Sequence, residues 1–149
     1  MAEGAKKYYK YQSNYIDVRN DPLYPFGYGL SYTTFSYGDV QLSADHIARD
    51  GSVTASVTVT NTGQRDGDEV VQLYIHHPAA QIARPVKELK GFERVFLKSG
   101  ESRDVKFVIT EDDLKFYNSE LHYVYEPGEF DVMVGPNSRD VQTKSFQAK

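Results

Sequence analysis

"SVTASVTVT" occupies residues 52–60 and alternates without a break. Val53, Ala55, Val57 and Val59 share one face, and Thr54, Ser56, Thr58 and Thr60 share the other. Side chains of a strand point alternately to opposite faces, so this stretch predicts a half-buried β-strand. "NTG" at 61–63 ends it with turn chemistry. The same period recurs further along. EVVQLYIH (69–76) sets Val71, Leu73 and Ile75 inward, SRDVKFVIT (102–110) sets Val105, Phe107 and Ile109, and GEFDVMVG (128–135) sets Phe130, Val132 and Val134. Weaker strands are expected near 39–47, 87–97, 121–125 and 141–147. Asp50-Gly51, Ser99-Gly100 and Pro127-Gly128 supply turns between these runs.

One run breaks parity. In KELKGFERVFL (87–97), Leu89 and Phe92 are three apart, which predicts a β-bulge at Gly91. The single helical candidate is one turn at Glu111–Leu114, with Thr110 as N-cap. Several short strands joined by frequent turns predict an all-β fold, an antiparallel two-sheet sandwich. The chain has no cysteine and no tryptophan, so the Cys…Trp…Cys spacing of true immunoglobulin domains is absent. A fibronectin type III-like sandwich fits better.

A length of 149 residues suits one domain with a tail. The net charge is −4 and no basic stripe appears, which argues against nucleic acid and against an anionic membrane surface. The apolar runs are far too short to span a bilayer. MAEGAKKYYK has no apolar h-region and does not read as a signal peptide; Met1–Ala5 reads as an added leader. The lack of cysteine excludes disulfides, thiol catalysis and Cys-type zinc sites.

Residues 1–38 differ from the rest. They hold Tyr8, Tyr9, Tyr11, Tyr15, Tyr24, Tyr28, Tyr32 and Tyr37, eight of the 12 tyrosines. DPLYPFGYGLSYTTF (21–35) fits neither the helix nor the strand period. Residues 1–32 are therefore expected to form an irregular linker and docking segment, and 33–149 the sandwich. Rings in an irregular segment are expected to lie on a surface and bury there, against this sandwich or against a neighbour. Tyr24, Phe26, Tyr28, Leu30 and Tyr32 are the candidate docking residues. The alternative is carbohydrate binding by rings of segment 8–37 stacking on sugars, which the absence of tryptophan disfavours. Without its neighbours, segment 1–20 is expected to be mobile or to self-associate.

Catalytic patterns are missing. Glycoside hydrolysis needs two carboxylates across a sugar. Asp66 with Asp68 and Glu69, Asp112 with Asp113, and Glu126 with Glu129 all fall in expected turns, where carboxylates are usually solvated or shape the turn. RDGDE (65–69) lacks the ligand spacing of a calcium loop. His76 and His77 are adjacent on a strand and face opposite ways, so they cannot chelate one metal together. His46 and His122 have no readable partner. No G-x-S-x-G occurs, and GYGLS (27–31) lacks the strand–loop–helix context of a phosphate cradle. No catalytic residue, metal site or cofactor is expected.

Four stretches carry a family signature: LYPFGYGLSYTTF (23–35), VTVTNTGQRDGDEVVQLYI (57–75), RPVKELKGFERVFLKSGES (84–102) and YEPGEFDVMVG (125–135). Together they resemble the C-terminal fibronectin type III-like domain of glycoside hydrolase family three, the β-glucosidases and β-xylosidases. The resemblance implies a multi-domain parent. Its nucleophile is an Asp before a Trp in a barrel domain, and its acid/base lies in a second, α/β domain, so neither can be carried onto this tryptophan-free chain. It also implies the parent's catalytic domains as partners, a bracing role, a periplasmic or extracellular location, and scope for homo-oligomers. A third reading, beside bracing and carbohydrate binding, has the loop at about 77–87 reach toward the parent's active-site rim. Fibronectin modules often have a tyrosine where this chain has Phe130, so the ring is kept and its hydroxyl bond lost.

Overall fold

The computed structural model describes residues 21–48, 50–80 and 82–149. The strong alternating runs become the long strands: β4 (Ser52–Asn61), β5 (Gly67–His76), β7 (Ser102–Thr110) and β10 (Gly128–Gly135). The weaker runs give β6 (Glu88–Leu97) and β11 (Gln142–Ala148). Short strands complete the set: β1 (Phe35–Tyr37), β2 (Gln41–Leu42), β3 (His46–Ile47), β8 (Phe116–Tyr117) and β9 (Tyr123–Val124). A single turn of helix, α1, spans Glu111–Leu114.

In the first sheet β4 pairs with β7 on one side, and with β1 and then β2 along the other. The second sheet runs β3-β11-β10-β5-β6. Their inner faces share one core that includes Val53, Val57, Val59, Val71, Leu73, Ile75, Val105, Ile109, Phe130, Val132 and Phe146. This is the fibronectin type III-like sandwich expected, built from the inward parity of each run.

Some expectations need correction. The run near 39–47 is not one strand: it changes sheets, with β2 on β4 and β3 on β11. The β3–β11 pair is parallel, so the sandwich is not wholly antiparallel. Residues 121–125 do not join the sandwich; β9 forms a separate hairpin with β8. Leu121 stands at φ 62°, which turns the chain before any strand can begin there. Phe107 is half-buried, packing at the margin of the core. The bulge on β6 lies where parity broke. Leu73 pairs with Gly91 and Tyr74 with Leu89, so Lys90 is skipped. At α1 the Asp113 carboxylate accepts from both the Thr110 N–H (2.8 Å) and its hydroxyl (2.9 Å).

Asn61, at the end of β4, is fully buried. Its amide donates to the carbonyls of Arg65 (2.8 Å) and Leu97 (3.0 Å). Its Oδ1 accepts from the Thr33 hydroxyl (2.7 Å) and the Gly63 N–H (3.1 Å). One side chain thereby ties the segment entering β1 to the β4–β5 turn and the end of β6. The sheets are also joined by Tyr37 of β1, whose hydroxyl donates to Glu69 of β5 at 2.7 Å. Burial raises the titration points of both groups, and the hydrogen bond to Glu69 raises the tyrosine further.

Candidate docking surface

The ring-rich segment does not fold its rings into this sandwich. Tyr24, Phe26, Tyr28, Leu30 and Tyr32 are exposed by 64%, 66%, 41%, 90% and 93%. Leu23 is exposed with them. Tyr8, Tyr9, Tyr11, Tyr15 and the mobility or self-association expected of 1–20 lie outside the described residues.

Its backbone, in contrast, is fastened to the outer side of the second sheet. Pro25 is buried and accepts from the Tyr28 N–H at 3.1 Å, closing a turn whose third residue, Gly27, has φ 78°. Ser138, in the β10–β11 turn, donates its N–H to the Phe26 carbonyl at 2.9 Å. Gln72 of β5 donates through Nε2 to the carbonyls of Gly27 (3.0 Å) and Pro136 (2.7 Å). Its Oε1 accepts from the Tyr74 hydroxyl at 2.5 Å. A Cβ on Gly27 would lie 2.0 Å from Gln72 Oε1, so glycine is needed both for its φ and for this close approach. The Phe26 ring meets Tyr74 edge-on at 6.5 Å.

The segment is thus a pinned ribbon that turns its rings outward. A groove of about 590 Å³ runs between it and the sheet, with Phe26, Tyr28 and Leu30 on one wall and Val70, Leu89 and Phe92 on the other. Composition marked the ring-bearing wall in advance. The sheet wall was missed, although β6 carried a signal: Phe92 and Phe96 have the opposite parity to Val95 and Leu97, so the strand is apolar on both faces. The rings of Tyr24 and Tyr28 lie 5.1 Å apart but tilted by 39°, not in the coplanar row on which a sugar chain would stack.

The other candidate groups resolve into structural roles. Asp66 accepts from the Ser99 N–H, Asp68 pairs with Arg94, Asp112 pairs with Lys115, and Glu129 accepts from Gln147. Arg84 of the 77–87 loop bonds Glu88 at 3.0 Å and sets its guanidinium 4.7 Å over the Phe116 ring. His46 lies beside Asp45 and His122 beside Glu120. His76 reaches toward the Pro85 carbonyl, whereas His77 is buried and stacked on Phe130 at 4.2 Å. Phe130 in turn stacks on Phe146. Among the described residues no three His, Cys, Asp or Glu side chains are grouped to hold a metal ion. No described helix is long and apolar enough to cross a membrane.

Residues 69–138 match the model of the fibronectin type III-like domain. A periplasmic beta-glucosidase of Salmonella typhimurium is 54% identical over 138 residues, which is 93% of this chain and 18% of that protein. A putative beta-xylosidase of Formosa agariphila is 45% identical over 93% of the chain and 18% of its own length. The crystal structure of beta-glucosidase from Listeria innocua in complex with gluconolactone superposes with a TM-score of 0.88 at 41% identity, covering 95% of this chain and 20% of that one. The chain is a fibronectin type III-like domain of a family three glycoside hydrolase. This domain spans about a fifth of the length of the relatives it matches. The family is the one that residues 23–35, 57–75, 84–102 and 125–135 resemble, and the nearly all-β sandwich is the expected fold class.

Proposed function

We propose that this domain is a non-catalytic accessory module that braces the catalytic domains of its parent glycosidase. The parent would be a β-glucosidase or β-xylosidase that hydrolyses β-glycosidic bonds with retention, in the periplasm or outside the cell. Residues 1–32 would be its linker and docking segment, with Tyr24, Phe26, Tyr28, Leu30 and Tyr32 as the docking side chains. The observation that carries this reading is the contrast within one short segment, a backbone hydrogen-bonded to the sheet and five large side chains left in solvent. Covering each of these groups would contribute roughly 2 kcal/mol. That is ample reason for a neighbouring domain to sit there.

The catalytic half of the reading is tested with aryl β-glucosides. The isolated chain should give no turnover, and turnover abolished by changing one of its carboxylates would overturn the assignment. The carbohydrate alternative is separated by titration with cello- and xylo-oligosaccharides. Saturable shifts of the Tyr24, Tyr28 and Tyr32 ring signals would favour sugar binding, and unchanged spectra favour bracing.

A further inference from the structure

We propose that the outer face of β5 and β6 is a second docking surface, occupied face-on by the preceding domain of the same polypeptide; this rests on the bracing role above. The outer faces elsewhere in the sandwich are the control. On β4 and β7, Thr58 bonds Asp104 at 2.6 Å and Thr60 bonds Ser102 at 2.7 Å. On β10 and β11, Asp131 accepts from Ser145 at 2.7 Å and Glu129 from Gln147 at 3.2 Å. Such polar ladders are what a water-facing antiparallel sheet displays. The outer pairs on β5 and β6 are mixed: Asp68 faces Phe96, Val70 faces Arg94, Gln72 faces Phe92, and Tyr74 faces Leu89, with the Asp68–Arg94 ion pair at 2.9 Å running diagonally among them. Phe92 is 69% exposed and Phe96 49%, with Val70 exposed between them.

The bulge serves this face. Because Lys90 is skipped, Leu89 and Phe92 share the outer side despite lying three residues apart. In an unbroken strand Leu89 would fall on the opposite side from Phe92.

The contact mode follows from the edge. Among the described residues β6 is the last strand of its sheet. Glu93 pairs with the inward-facing Val71, so it places a charge on the inner side of that edge. An inward charge and a bulge both obstruct the addition of another strand. A partner therefore meets the Phe92–Phe96 face and leaves the β6 backbone unpaired.

The occupant is set by where the chain runs. The relatives extend this domain about fivefold, and the segment leading into β1 crosses this same face, fastened by Gln72 and Ser138. The groove joins the two, with Phe26, Tyr28 and Leu30 of the segment facing Val70, Leu89 and Phe92 of the sheet, and Asp68 and Gln72 among them.

Hydroxyl-radical footprinting read by mass spectrometry, on the isolated chain and on the longer polypeptide that carries it, tests this. Labelling of Phe92 and Phe96 should be strong in the isolated chain and lost in the longer one. If Tyr28 and Tyr32 become protected while Phe92 and Phe96 label equally in both, this inference is overturned and docking by the segment stands. If no ring changes, both readings fall. Slowed amide exchange along β6 with undiminished labelling of Phe92 and Phe96 means strand addition, which also overturns it. So does labelling of the isolated chain that declines with concentration, because a second copy is then the occupant. In the Phe92→Ser/Phe96→Ser variant the isolated chain should keep its unfolding midpoint, since both rings are exposed. The same variant should raise Tyr28 labelling in the longer polypeptide, and unchanged Tyr28 labelling there counts against a shared surface.

Discussion

At the scale of single residues, Asn61 and His77 show how buried polar groups are handled in opposite ways. Asn61 has its amide and carbonyl oxygen fully engaged, by groups as distant in sequence as Thr33 and Leu97. Replacing it by leucine would leave those carbonyls and the Thr33 hydroxyl without partners. Asn61→Leu should lower unfolding stability in urea by about 2–4 kcal/mol, and a loss below about 0.5 kcal/mol would contradict the role assigned to it. His77 instead has a buried Nδ1 without a hydrogen-bond partner among the described residues. Burial lowers its titration point, opposed by the nearby Glu126 carboxylate and assisted by Arg84 and His76. In the window from its unfolded value of about 6.5 down to the depressed folded value, the unfolded chain binds more protons, so stability rises with pH there and is lost as pH falls. Melting followed between neutral and mildly acidic pH should show this drop, and His77→Phe should flatten it. An identical slope in the variant would assign the drop to another group. The valines of β4 were legible because alternation is local. Asn61 looked like a turn residue, because its partners are brought together only by the fold.

At the scale of elements, the strands that face one core were readable and the strands set by tertiary pairing were not. Residues 39–47 carry a weak period, and their division between two sheets depends on partners at 55–56 and 147–148. The β8–β9 hairpin is so short that its sequence shows no alternation. Its turn holds Leu121 at φ 62° with the side chain 79% exposed. A left-handed conformation is unfavourable for leucine, and little packing would be lost with the side chain. Leu121→Gly should therefore stabilise the domain by about 1 kcal/mol, readable as a higher urea midpoint; a lower midpoint would mean that the leucine packs in solution. The ring-rich segment was legible as a surface element from its composition. The outward direction of its rings was not, because that is fixed by Gln72 and Ser138 gripping the backbone from another part of the chain.

At the scale of the whole molecule, the sandwich is self-sufficient in its core but not on its surface. Its inner faces close over a continuous apolar cluster. Its outer side keeps the rings of 24–32 and the β6 phenylalanines in water, and clustered exposed apolar groups of this kind mark interaction sites. The domain covers a fifth of its relatives, so a surface of this kind is expected where the remainder of the polypeptide packs. The proposed bracing has a thermodynamic meaning: the domain and its neighbours would unfold together, each stabilised by the contact. The decisive measurement is scanning calorimetry of the longer polypeptide beside its Tyr28→Ser/Leu30→Ser/Tyr32→Ser variant. Bracing requires that the wild type melt with this domain coupled to its neighbours and that the variant release a separate transition at the melting temperature of the isolated chain. A variant that melts like the wild type, with the domain's transition unmoved, would show that these side chains hold nothing in place.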